Sequence, residues 1–291
     1  MKKGLRPDNT SSRPSRSSRE KIETVPNFPH RPATPDPLCC WPNACKQAAC
    51  HLLRDCPVQL TFASFNIHRA IGLDRRRDPD RILSVLREID ADVVALQEAD
   101  RRFGRRASVL PLAAIADHTP YRPVPLSIRP VSIGWHGNAL LVRRGIAVTD
   151  AAIVPLPTLE PRGAIRVDLT AGGRRLRVVG MHLDLSGLRR RHQVRSILGH
   201  LDLCDGHCPT VLMGDLNEWS QHGGCLREFH HDWRVLSPGR SFPSRRPVAQ
   251  LDRIVVSRDW RILETRVHHS ALAARGSDHL PVYARLELPK K

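Results

Sequence analysis

The chain has 291 residues, 41% of them apolar, and 46 Lys and Arg against 29 Asp and Glu give it a formal net charge of +17. That is enough apolar material for one large core, and no uninterrupted apolar run approaches the roughly 20 residues that cross a bilayer. The charge suits an anionic partner, and Arg spread along the whole chain equally describes a solvated basic surface.

Residues 1–57 hold nine prolines and serine-rich stretches such as Ser11-Ser12-Arg13-Pro14-Ser15. Such sequence buries too little to offset its ordering entropy, so a disordered basic tail is expected. A short helix over 44–53 is the one exception. Five of the eight cysteines, Cys39 to Cys56, fall in the same stretch. They form no CxxC pair, which argues against a zinc ribbon and leaves a short Cys/His clip as a weak reading. The basic start, Met1-Lys2-Lys3-Gly4, runs into Pro- and Ser-rich sequence rather than an apolar segment. Reduced thiols and a cytoplasmic location are therefore expected.

A folded domain is expected over 58–291. Val58–Phe65 reads as a strand ending at Asn66. Asp78-Pro79-Asp80 starts a helix, with an acid at the N-cap and proline at the first helical position. Ile82, Val85, Leu86 and Ile89 give that helix its core face. Val93–Leu96 is a buried strand that delivers Gln97 and Glu98, and a helix follows over 109–117. Strands are then expected at 138–143, 164–169 and 176–183, with Gly172-Gly173 as a hairpin turn. A helix over 189–203 carries Val194, Ile197, Leu198 and Leu201. The last strands are 210–213, 249–256 and 281–288. Two sheets covered by helices is the simplest packing.

The stretch Val211-Leu212-Met213-Gly214-Asp215-Leu216-Asn217 concentrates the chemistry. An apolar run enters a glycine, then an acid and an amide follow two positions apart. If the backbone stays extended, both side chains face one pocket. The same pattern recurs: Asn66, Glu98, His182, Asp215 with Asn217, Asp252, and Asp278 with His279 all lie at or beside predicted strand ends. Such a rim has what metal-assisted phosphoryl hydrolysis requires: hard oxygen ligands, a group that orients water, and donors for charge on phosphorus.

The segments Ser64-Phe65-Asn66-Ile67, Leu96-Gln97-Glu98, Gly180-Met181-His182-Leu183, Met213-Gly214-Asp215-Leu216-Asn217, Leu251-Asp252-Arg253-Ile254 and Gly276-Ser277-Asp278-His279-Leu280-Pro281 occur in a telling order. Residues 58–288 resemble the endonuclease/exonuclease/phosphatase (DNase I-like) superfamily, which includes DNase I, class II apurinic endonucleases, neutral sphingomyelinases and inositol polyphosphate phosphatases. The resemblance implies a four-layer α/β (α+β) sandwich, two mixed β-sheets packed face to face and flanked by helices. It implies Mg²⁺ (or Mn²⁺), held by Glu98 with Asn66 beside it and Asp278 closing the site. Asp215 would orient or deprotonate the attacking water, and Asn217 would hold the phosphate or that water. His279 would contact the phosphate or act as general base, with Asp252 as its partner. His182 resembles the family's second histidine. Glu160 in Leu159-Glu160-Pro161-Arg162-Gly163 is inferred as its partner, with Arg162 as a phosphate donor. Asn138 is a further site amide. Some branches place a tyrosine near here, and this chain offers none, which argues against a close apurinic-endonuclease likeness.

The resemblance does not fix the substrate. A nuclease-like phosphodiesterase is favoured by the charge and the Arg-rich loops, and opposed by an aromatic content of only 4%, which leaves little for base stacking. Phospholipid or phosphorylated small-molecule hydrolysis is the alternative, so nucleic acid and a membrane surface are both partners to consider. The Arg101–Arg106 cluster reads as a basic loop, substrate-facing or merely solvated, with solvation favoured. An inactive binding protein would have lost Glu98, Asp215 or His279, and all three are present. A monomer is expected.

Overall fold

Strand alternation decides the architecture. In β1 (Val58–Asn66), Leu60 and Phe62 belong to one core cluster while Ala63 and Phe65 belong to another. Successive side chains point to opposite faces of a sheet, so β1 is buried on both sides. β2 (Val93–Gln97) divides the same way, with Val93 and Ala95 against Val94 and Leu96. The computed structural model describes residues 57–102, 104–126, 131–158, 162–204 and 206–290. The expected tail, its short helix, the Cys39–Cys56 cluster and Glu160 lie outside these residues.

The remaining strands are β3 (Tyr121–Pro123), β4 (Ala139–Arg143), β5 (Ala147–Val154), β6 (Gly163–Ala171), β7 (Arg174–His182), β8 (Thr210–Asp215), β9 (Trp233–Leu236), β10 (Asp252–Ser257), β11 (Arg261–Val267) and β12 (Val282–Leu288). They form two six-stranded sheets, ordered β11-β12-β1-β2-β4-β3 and β5-β6-β7-β8-β10-β9. Each is mixed. β1 and β2 run parallel in the first, β7 and β8 in the second, and the other pairs are antiparallel. The inner faces meet in one cluster that joins Phe62, Ala95 and Leu140 to Val167, Val178 and Met213. Trp260, fully buried, meets Phe62 edge-on at 5.4 Å. On the outer face of the first sheet, α1 (Pro79–Ile89), α2 (Leu112–His118) and α4 (Ala271–Gly276) contribute to a second cluster. On the outer face of the second, α3 (Gly187–Asp202) packs Val194 and Ile197 onto Val179 and Leu212. This is the expected four-layer sandwich.

Local signals explain most of these elements. Asp78 caps α1 by accepting from the Arg81 N–H at 3.0 Å. Gly172 and Gly173 have φ of 54° and 72° and join β6 to β7 in a two-residue turn, a conformation that glycine adopts at low cost. The four edge strands, β3, β5, β9 and β11, carry no clear signal in the sequence: β3 and β9 are short, and the half-exposed residues of β5 and β11 blur the apolar pattern. β10 begins at Asp252 rather than at Ala249, which makes only an isolated bridge to Phe242.

Gly214 is fixed by close approach rather than by φ. A Cβ there would lie 1.8 Å from the Met181 carbonyl oxygen on the neighbouring strand. Gly214→Ala should therefore cost about 3 kcal/mol or more of stability, above the usual range for overpacking because backbone is what must move. The urea midpoint measures it.

A second device ties β5, β6 and β7 together. Arg177 donates to both Asp168 oxygens at 2.7 and 2.9 Å, Arg166 meets Asp168 at 2.9 Å, and all three are buried. Burial alone would raise the Asp168 pKa, but the Arg177 and Arg166 guanidinium groups hold it below the ordinary carboxylate value. A depressed folded-state pKa contributes stability above the unfolded value, about 3.9, and loses it as pH falls through the folded one. Asp168→Asn should cost roughly 1–3 kcal/mol at pH 7, with the gap to wild type closing under acid. Urea melts at neutral and acid pH measure both.

Candidate active site

The site continues the inter-sheet core. On β1, Leu60 and Phe62 face inward, so the alternation also turns Ser64 and Asn66 inward. On β7, Leu176 and Val178 lead to Gly180 and His182. On β8, Val211 and Met213 lead to Asp215. On β10, Ile254 and Val256 share their face with Asp252, and on β4, Leu140 shares its face with Asn138. The core is apolar along most of its length and polar at one end. Register completes the arrangement. His182 pairs with Asp215 across β7 and β8, and Asp215 with Asp252 across β8 and β10, so the three stand in one row.

Asp215 is the hub. Its Oδ2 accepts from Asn66 Nδ2 at 3.0 Å, lies 3.3 Å from His182 Nε2 and 3.7 Å from His279 Nε2, while Oδ1 accepts from the Asn217 N–H at 2.9 Å. Burial opposes ionisation, yet the charge of His279 and the His182 and Asn217 hydrogen bonds together hold its pKa well below the usual range. His279 Nδ1 reaches Asp252 Oδ2 at 2.9 Å, and Ser241 donates to that same oxygen. Both ring nitrogens of His279 thus face carboxylates. Its pKa, which burial alone would lower, is pushed up to about 10 by Asp252 and Asp215. Burial pushes the Asp252 carboxyl up.

Glu98 follows β2 with φ of 54°, and Asn217 follows β8 with φ of 51°. Asparagine tolerates the left-handed region; for glutamate it costs roughly 1–2 kcal/mol, the kind of strain found at functional sites. The backbone is therefore not extended through Asn217, and the condition under which alternation alone would turn Asp215 and Asn217 to one pocket is not met. The chain turns there, and the Asn217 amide donates to the Leu183 carbonyl at 2.9 Å, bracing β7 against β8. The turn at Glu98 brings its carboxylate into a cleft lined also by Arg69, Asp100, Arg102, Arg106, His136 and His182. About 40 Å³ of the cleft admits water-sized occupants, enough for a few waters. Arg102 and Arg106 border the cleft while Arg102 is also exposed, so the loop is solvated and faces the cleft at once.

The adjacent residues His68 and Arg69 connect two more predicted groups. His68 Nδ1 lies 3.7 Å from Asp278, and Arg69 Nε lies 3.3 Å from Glu98. Neither was found in the sequence, because both follow a strand in a short 3-10 turn with left-handed φ rather than in a strand. Arg162 packs its guanidinium against the His182 ring and itself lines the cleft that holds Glu98. Asn138 donates to the Gly163 carbonyl at 3.1 Å, and its Oδ1 is buried without a partner among the described residues.

The donor chemistry fits a hard cation at Glu98. Its carboxylate is half-buried and open to the cleft, and hard oxygens are what Mg²⁺ and Mn²⁺ take. Asn66 fits less completely: its Nδ2 is committed to Asp215, and its Oδ1 already accepts from the His68 N–H at 3.1 Å. One lone pair on that oxygen remains. Asp215, Asp252 and His279 also lie within reach of one another, but the imidazole between the two acids fills the space that an ion would need.

A model of the Endonuclease/Exonuclease/phosphatase family matches residues 63–279. The chain belongs to this family. The uncharacterized protein YbhP of Escherichia coli (strain K12) is 25% identical over 262 residues, covering 77% of this chain and 95% of YbhP. Among solved structures, D. rerio TDP2 complexed with a single-strand DNA product superposes with a TM-score of 0.61 at 17% identity, over 78% of this chain and 98% of that one. The human Nocturnin catalytic domain with bound sulfate gives 0.60 at 19% identity, over 79% and 96%. A mannosyl-6-phosphatase of Bacteroides thetaiotaomicron gives 0.61 at 18% identity, over 78% and 99%. At these identities the likeness shows the fold alone and leaves the substrate of this member open. Among the described residues no helix is long and apolar enough to cross a membrane.

Proposed function

We propose that this family member is a divalent-metal-dependent phosphoesterase that hydrolyses a phosphodiester by in-line attack of water. The observation that carries this reading is the Asp252–His279–Asp215 chain, closed on its far side by His182 and Asn66 and standing beside the cleft that Glu98 lines.

The parts divide the work. Asp215 accepts a hydrogen bond from the attacking water and aims it at phosphorus. With its pKa depressed, it is an orienting group first and a proton acceptor second. His279 is held at Nδ1 by Asp252 at 2.9 Å, while its Nε2 stands 3.7 Å from Asp215, beyond hydrogen-bond reach. The two acids favour the imidazolium, and its Nε2–H serves as a cationic donor to a non-bridging phosphate oxygen rather than as a general base. Asp252 fixes its orientation. His182 is a second donor, and Asn66 holds Asp215 in place. Glu98 would hold Mg²⁺ or Mn²⁺, with Asn66 and Asp278 as the further oxygen donors that the family resemblance implies, and the ion would supply Lewis-acid stabilisation of negative charge on the phosphoryl group. As water adds, the bond from phosphorus to the leaving oxygen breaks. No covalent enzyme intermediate is required. The Ser241 hydroxyl donates to Asp252, and no imidazole among the described residues accepts its proton.

The test is release of p-nitrophenol from bis(p-nitrophenyl) phosphate. Activity should need Mg²⁺ or Mn²⁺, vanish with EDTA and return with added metal. Folded protein with no metal-dependent release, or a trapped phosphoenzyme, would overturn the reading.

A further inference from the structure

Large exposed apolar residues are few among the described residues, and four of them leave the same row of strands. Leu185 and Leu188 follow His182 at the end of β7, Trp219 follows Asp215 at the end of β8, and Val248 precedes Asp252 at the start of β10. Since β7 and β8 run parallel and β10 antiparallel, all three loops emerge at the site's end of the second sheet. The four side chains are 62%, 65%, 64% and 58% exposed.

Contacts link the loops beneath these residues. Arg190, buried, donates to the Leu185 carbonyl at 2.7 Å and to Glu218 at 3.2 Å, which joins the Leu185 loop to the turn that carries Trp219. Trp219 meets Phe242 edge-on at 6.3 Å, and the Val248 N–H donates to the Phe242 carbonyl at 2.9 Å. Phe242 in turn packs on the His279 ring at 4.8 Å. The apolar rim is thus braced from below and reaches the phosphate-facing histidine. Arg245 and Arg246 stand in the same loop as Val248, and Arg189 lies in the first turn of α3 beside Leu188. None of their side chains makes a hydrogen bond or ion pair among the described residues, and Arg245 and Arg246 are exposed.

We propose that this rim docks the enzyme on an anionic lipid surface, so that the phosphodiester it hydrolyses is that of a phospholipid headgroup. The inference rests on the phosphoesterase reading for its chemistry and on the rim for its substrate class. Two features select lipid over nucleic acid. Base stacking can use Trp219 but has no use for two leucines and a valine. Aliphatic side chains beside an interfacial Trp and unpaired arginines are what a headgroup boundary rewards, through buried apolar area together with attraction to anionic lipid.

The test uses the full chain and sedimentation with vesicles of equimolar phosphatidylglycerol and phosphatidylcholine. Wild type should sediment with the vesicles and show a blue shift of tryptophan emission that Trp219→Phe abolishes. Leu185→Gln/Leu188→Gln/Val248→Gln should reduce the partition coefficient by about tenfold or more at a salt concentration that screens the basic tail, yet release p-nitrophenol from the soluble diester at the wild-type rate. Trp219→Ser should weaken binding in the same direction. Equal partition of wild type and both variants, or a Trp219 emission shift produced by duplex DNA and not by vesicles, would overturn the proposal. Vesicle binding is read without catalysis, so a failure of the rim and a failure of the hydrolase reading are distinguishable.

Discussion

Asp215→Asn should lower metal-dependent phosphodiester hydrolysis by about 10²–10⁴-fold, the range for loss of a positioned acid–base group. The substitution keeps shape and removes charge. Asn66, His182, His279 and the Asn217 N–H all converge on this carboxylate. A neutral amide can still accept from some of them, so the row of strand ends should stay assembled. What is lost is the anion that aims the water and helps to hold His279 protonated. The His279 pKa, now pushed up to about 10 by Asp252 and Asp215, should fall in the variant. Single-turnover kinetics measures the first effect, and NMR titration of the imidazole the second. A wild-type rate together with an unmoved imidazole would remove Asp215 from its proposed role.

Glu98→Gln should weaken Mn²⁺ binding by at least about 10–100-fold, since even partners one step behind a metal ligand cost that much, and activity at fixed metal should fall in parallel. The left-handed backbone at Glu98 is unaffected by this change, so the carboxamide should occupy the same place in the cleft. Arg69, 3.3 Å away, would lose its partner, and a modest change in stability should accompany the loss. Calorimetric titration with Mn²⁺ and rates over a range of metal concentrations separate a lost ligand from a lost fold. Unchanged metal affinity would show that Glu98 is not the principal ligand.

The rim was legible because its residues interrupt a strict pattern. Asn66, His182, Asp215 and Asp252 each extend an apolar strand by one polar residue, and strand alternation alone turns them all into the inter-sheet space. Asn217 shows where that reasoning fails. Alternation holds only while the strand lasts, and a left-handed residue redirects the chain at once. Arg162 shows a second limit. It precedes β6 in sequence, and only the packing of β6 against β7 sets it on His182.

Sequence by itself determined the inner strands, the capped first helix, the polar residue at the end of each of those strands and the family, because burial and alternation are local properties that each buried segment carries alone. Tertiary structure alone decided that His182, Asp215 and Asp252 stand in one register row, that His279 is held between two acids, and that Leu185, Leu188, Trp219 and Val248 emerge beside one another. Those are facts of pairing between distant segments, and no segment encodes its neighbour's register.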